Sequence, residues 1–85
     1  MGLGTPVELD DPASLLQSGD QAMWKGDYDA AISHYSAAIR LQTAAGDTRQ
    51  ASLTCVRLGG VFAYMLGNRV AARPWFNRAM RLVEN

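Results

Sequence analysis

Apolar residues recur at helical spacing along most of the chain, in four blocks separated by short polar joints. Leu15, Leu16, Gly19, Ala22 and Met23 follow one another at steps that place them on one face of a helix. That block opens at Pro12 behind Asp11. A carboxylate there can accept from the unpaired amides of the first turn, and proline tolerates the first helical position. Gly26-Asp27 breaks the pattern. A second stripe of Tyr28, Ala31, Ile32, Tyr35, Ala38 and Ile39 runs toward Ala44-Ala45-Gly46, where glycine can close a C-terminus. Asp47 or Thr48 opens a third helix extending to Leu66, with Leu53, Val56, Gly60 and Ala63 on one side and Leu58, Val61, Phe62 and Met65 elsewhere around it. A helix this apolar around its circumference is expected to be sandwiched. Beyond Gly67-Asn68 a fourth helix presents Ala72, Trp75, Phe76, Ala79, Met80 and Val83. Pro74 falls about one turn into it, where it removes one backbone hydrogen bond and is expected to bend the axis. No segment alternates with period two, so the expected fold class is all-α. Residues 1–11, which hold Gly2, Gly4 and Pro6, read as a flexible leader ahead of a helical domain at 12–85.

The four blocks are two copies of one unit. Shifting the chain by 41 residues pairs Gly19 with Gly60, Ala22 with Ala63, Gly26 with Gly67, Ala30 with Ala71, Ala31 with Ala72, Ala38 with Ala79, Arg40 with Arg81 and Leu41 with Leu82. Those eight identities fall within 27 pairs starting at Leu15 and Val56, where average composition gives about two. Repeat 1 spans about 12–45 and repeat 2 about 47–84. Glycines and alanines at matched positions let two helix axes approach closely, and Tyr35 and Phe76 fill the space beyond them.

At Gly19, Ala22, Gly26-Asp27-Tyr28, Ala31-Ile32, Tyr35 and Ala38-Ile39 the first unit resembles a tetratricopeptide repeat, and Gly60, Ala63, Gly67-Asn68, Ala72, Phe76 and Ala79 resemble a second. Arg69 stands where the family has an aromatic after the turn, and the period exceeds the standard 34 by seven around Gln42 to Arg49. The resemblance covers about residues 12–84 and implies two antiparallel helix pairs stacked as a short right-handed solenoid that binds protein partners. It implies a groove lined by first-helix residues for an extended peptide or partner helix, here Leu16, Asp20, Met23, Arg57, Val61 and Tyr64, with Trp24 facing the same inner surface. The lysine and asparagine pattern of carboxylate-clamp members is missing, so an apolar ligand segment bordered by Asp20 and Arg57 is expected. From Ala45-Gly46-Asp47-Thr48-Arg49 to Trp75-Phe76-Asn77-Arg78 the chain is also similar to the helical repeats of actinobacterial LuxR-type transcriptional regulators. That second likeness implies a sensor or partner-binding segment of a regulator.

Composition narrows the classes. The 85 residues suit one small domain rather than a multidomain enzyme, and a hydrophobic content of 48% excludes wholesale disorder. Apolar runs are far shorter than the roughly 20 residues a membrane helix needs, and no basic patch precedes an apolar core at the N-terminus. A cytoplasmic protein without a membrane partner is expected. Formal charge is zero, yet residues 1–29 carry six acidic groups against Lys25 alone, while the remainder carries seven arginines against Asp47 and Glu84. Arrays normally need about three repeats and a polar cap, and the last helix ends on Met80, Leu82 and Val83. Two outcomes are therefore expected: self-association through Arg73, Met80, Leu82 and Val83, head-to-tail by charge, or membership of a longer array.

No residue set builds an active site. Cys55 and His34 are the only cysteine and histidine, which leaves neither a disulfide nor a Cys/His zinc site, and no nucleophile and base share a motif. His34 is read as structural and Cys55 as a small buried apolar filler; no cofactor is implied. Gly59-Gly60 lacks the lysine and hydroxyl of a phosphate loop. Arg69, Arg73, Arg78 and Arg81 could meet nucleic acid, but no recognition motif accompanies them, and a solvated face or an acidic protein partner suits them better. A three-helix adaptor of the microtubule-interacting-and-transport type is disfavoured by the fourth helix and the duplication.

Overall fold

A computed structural model describes residues 11–84. Helix α1 spans Pro12–Trp24, α2 Tyr28–Ala44, α3 Thr48–Gly60 and α4 Arg69–Glu84, with a π-helical turn at Val61–Met65 continuing α3. No strand occurs among the described residues. Apart from Asp11, the expected leader lies outside them.

Each helix starts on a short polar cap, as the joints in the sequence suggest. Carboxylates of Asp11, Asp27 and Asp47 accept from the amides of Ala13, Ala30 and Gln50 at 3.1, 3.2 and 3.3 Å, and the Asn68 side chain accepts from Ala71 at 3.0 Å. A cap of this kind contributes about 1 kcal/mol. The first two joints share one C-terminal motif. The N–H groups of Gly26 and Asp27 donate to the carbonyls of Met23 and Ala22, and those of Gly46 and Asp47 to Thr43 and Gln42. Gly26 and Gly46 sit at φ 81° and 76°, a region side chains rarely adopt. The residue after each glycine thus closes one helix and caps the next, which turns the chain back within three residues.

Helix α1 packs on α2 and α3 on α4, while α2 lies against α3. The core runs through both pairs: Ala31, Tyr35 and Ile39 from α2 meet Cys55, Leu58, Val61 and Ala79 in one buried cluster. Cys55 fills the small apolar role expected of it. Two hydrogen bonds stitch the interior, from the Ser52 hydroxyl to the Ala79 carbonyl at 2.8 Å and from Thr54 to the Gln42 side chain at 2.9 Å. Helix α4 runs on through Pro74, which lies on its exposed side.

The third block departs from expectation in register. Leu53 and Val56 are exposed, and the buried face consists of Ala51, Ser52, Thr54, Cys55, Leu58 and Gly59. Gly59, not Gly60, is the counterpart of Gly19. A Cβ on Gly19 would lie 2.6 Å from the Tyr35 ring and one on Gly59 2.7 Å from the Phe76 ring, whereas Gly60 faces only Tyr64 at 3.8 Å. The first helices therefore match at a spacing of 40, while the turn glycines and second helices match at 41. One surplus residue enters between Gly59 and Gly67, and the π-helical turn absorbs it. There Leu66 N–H donates five residues back to Val61, and Asn68 N–H reaches six back to Phe62, the widened ladder that an inserted residue produces in a helix. On α4 the expected stripe is also corrected. Ala72 and Ala79 are buried, Trp75 and Phe76 half-buried, and Met80 and Val83 exposed.

Candidate functional site

The ends of α1 and α3 and the π-helical turn line a hollow of about 330 Å³. Asp20, Met23 and Trp24 line it from α1; Arg57 lines it from α3, with Val61 and Tyr64 beyond. These are six of the seven residues expected for a partner groove. The seventh, Leu16, is elsewhere: it borders a separate hollow with Pro12, Gln42 and Gln50. Leu16 and Met23 lie seven residues apart on α1, about two turns, so their shared face does not bring them to one hollow.

Three further residues complete the lining: Tyr35, Gly60 and Met65. Tyr35 is read from sequence as a core filler, and its ring does fill the core, yet its hydroxyl reaches the wall of the hollow and donates to Asp20. Met65 arrives through the π-helical turn, which a continuous α-helix would not have revealed. A second apolar depression, lined by Met23, Trp24, Tyr28 and Met65, adjoins the first and shares three of its residues.

The polar wall is internally satisfied. Arg57 Nη1 lies 3.3 and 3.1 Å from the two carboxylate oxygens of Asp20, which also accepts the Tyr35 hydroxyl. One residue from each of α1, α2 and α3 meets in this triad, which crosses the boundary between the repeats. Asp20 and Arg57, expected to border an apolar ligand segment, are paired with each other. The pair is partly exposed, so its contribution to stability is small. What remains open to a ligand is apolar: Trp24 is 85% exposed and Tyr64 81%.

Burial, more than the bond to Asp20, raises the Tyr35 hydroxyl far above the ordinary tyrosine range, and burial likewise raises the Cys55 thiol. Both groups favour the folded chain while neutral. Their contribution is complete below about pH 8.5, where an exposed thiol starts to ionise, and declines as the pH passes about 10, where a tyrosine of the unfolded chain ionises. Chemical denaturation followed from pH 8 upward is expected to show falling stability, with a shallower fall in Tyr35→Phe. An identical slope in that variant would exclude Tyr35 as a source.

The other candidates do not gather. His34 is half-buried on α2, and no three His, Cys, Asp or Glu side chains among the described residues could hold a metal ion. Arg78 stands over the Trp75 ring, 6.0 Å from its centre, and so is engaged within its own helix, whereas Arg69 and Arg73 are exposed. Of the expected self-association set, Arg73, Met80 and Val83 are exposed, but Leu82 turns inward against the core. No described helix is long and apolar enough to cross a membrane.

Four capped helices in two antiparallel pairs, with glycine against aromatic in each, match the expected repeat architecture. The family model for the tetratricopeptide repeat covers residues 11–85. The chain belongs to the tetratricopeptide repeat family. No curated protein and no solved structure matches it, and nothing in these comparisons supports the likeness to LuxR-type regulators. Tetratricopeptide repeats are helical modules that typically mediate protein–protein interaction. In this member the unit is enlarged by its long period and distorted by the π-helical turn beside the hollow.

Proposed function

We propose that this tetratricopeptide protein is a non-catalytic binding module that receives an apolar peptide or helix segment of a partner protein in the hollow beside Trp24 and Tyr64. One observation carries the reading: two large aromatic side chains stand almost fully exposed on the rim of one hollow, with Met23 and Met65 between them. Soluble proteins rarely leave such side chains clustered in water without a partner, and tryptophan and tyrosine supply much of the binding energy at interfaces. Methionines suit a ligand of irregular shape because their side chains adapt. A second surface, on the C-terminal helix around Arg73, Met80 and Val83, serves contact between copies of the chain.

Peptide display against the immobilised protein tests the first surface. Selected sequences are expected to carry apolar or aromatic residues at helical or alternate spacing. Their affinity should fall at least about tenfold in Trp24→Ala and in Tyr64→Ala, with helical content unchanged because neither side chain is in the core. Binders that keep full affinity for the Trp24→Ala/Tyr64→Ala double variant would place the site elsewhere.

A further inference from the structure

The internal duplication shows which surface of the second pair lacks a cover. Ala31 and Ala72, and likewise Ala38 and Ala79, are buried in both copies, because these positions face the partner helix of their own pair. Ile39 and Gln42 are 1% and 3% exposed, yet their counterparts Met80 and Val83 are 61% and 62% exposed. In the first pair the cover is α3, where Thr54 bonds to Gln42 and Cys55 and Leu58 share a cluster with Ile39. No described residue occupies that place on the second pair.

The opposite end of the molecule is built differently. The residues of α3 that press on the first pair, Thr54, Cys55 and Leu58, correspond at the spacing of 40 to Ser14, Leu15 and Ser18 of α1; Leu15 is already buried, and Ser14 donates to the Asp11 carboxylate beside it. The rest of that face is polar. Stacking a second copy head-to-tail would set Met80 and Val83 against a carboxylate and hydroxyls, which forfeits the apolar burial and strands polar groups. The charge segregation that favours head-to-tail contact is also weakened at Asp20, whose carboxylate is already held by Arg57.

Resting on the reading of the C-terminal helix as a contact between copies, we propose that the chain forms a two-fold, tail-to-tail dimer in which Met80 and Val83 pack against the same face of a second copy. A two-fold axis is self-complementary and closes, so the assembly ends at two. It sets α4 antiparallel to its mate. Arg73, Asn77, Met80 and Glu84 form one exposed stripe at helical steps, basic at one end and acidic at the other. An antiparallel crossing between Asn77 and Met80 brings Arg73 opposite Glu84 of the second copy, and the symmetric pair forms on the other side. The opposite charges thus suit this arrangement and oppose a parallel one.

Sedimentation equilibrium of the 85-residue chain across the micromolar range is expected to fit monomer and dimer alone. Met80→Glu/Val83→Glu should abolish the dimer while circular dichroism stays helical. Arg73→Glu should weaken dimerisation about tenfold, since the symmetric contact is lost twice, and Arg73→Glu/Glu84→Arg should restore it. A wild-type chain that stays monomeric overturns contact between copies altogether. An open series of masses, suppressed by Ser18→Glu as well as by Met80→Glu, overturns the tail-to-tail mode while leaving self-association in place.

Discussion

Gly19→Ala is expected to lower the melting temperature by about 10 °C, and Gly60→Ala to raise it by a few degrees. Away from steric trouble, alanine in place of a mid-helix glycine gains about 0.5–1 kcal/mol from reduced backbone freedom in the unfolded chain. At Gly19 that gain is overwhelmed. The new methyl would stand 2.6 and 2.8 Å from two carbons of the Tyr35 ring, which is fully buried and tethered through its hydroxyl to Asp20. A ring held at both ends retreats only if α1 moves away from α2, and overpacking of this kind costs about 1–3 kcal/mol. Each kcal/mol shifts the midpoint of a domain this size by roughly 4–8 °C. Gly59→Ala meets Phe76 almost as closely, but Phe76 is half-exposed and has no hydroxyl, so its ring can swing outward and the effect should be near neutral. Thermal melts of the three variants should rank Gly19→Ala below Gly59→Ala below Gly60→Ala. Equal losses at Gly19 and Gly59 would show that the tether on Tyr35 is irrelevant.

Leu58→Ser is expected to leave the chain without a cooperative unfolding transition at 37 °C. Leu58 is fully buried where α3 crosses the first pair, and removal of a buried leucine side chain costs about 2–5 kcal/mol. The serine hydroxyl would be stranded there at a further cost of about 1–3 kcal/mol. Together these approach the total stability of about 5–15 kcal/mol available to a small domain, and a short chain buries comparatively little surface. The reverse change at the matching position, Ser18→Leu, should leave the urea midpoint nearly unaltered, because Ser18 lies on a face of α1 that no other described helix packs against. The two variants differ only in which pair the exchanged side chain faces. Retention of more than half the wild-type urea midpoint by Leu58→Ser would mean that α3 is not what joins the repeats.

Element number, type and joints were legible in the sequence because they depend on local chemistry. Asp11, Asp27, Asp47 and Asn68 cap whatever helix follows them, and Gly26, Gly46 and Gly67 close whatever helix precedes them. Repeat identity was legible too, since the small residues that allow close approach recur. Register within the third helix was not. Adjacent glycines at 59 and 60 let the duplication be aligned at either 40 or 41, and the identities downstream of the turn favour 41. Only packing against Phe76 distinguishes the two glycines. The same ambiguity hid Met65 from the site, since its direction depends on a π-helical turn with no composition signal of its own. Six of the seven residues expected to line a groove came together in one hollow because the resemblance supplied their helix faces. Neutralisation of Asp20 by Arg57 and Tyr35 depends on distances between helices, which no spacing along one helix conveys.

The surplus residue beside Gly60 also bears on symmetry. Two copies of one unit, stacked without it, would present the same side chains at matching heights on α1 and on α3. The π-helical turn confines the surplus to a single turn and leaves the chain beyond it in phase with the first unit. Met23 and Trp24 thus come from a regular helix end on one wall, and Tyr64 and Met65 from the widened turn on the other. The two walls of the hollow are inequivalent although the sequence repeats, a difference made by a single inserted amino acid.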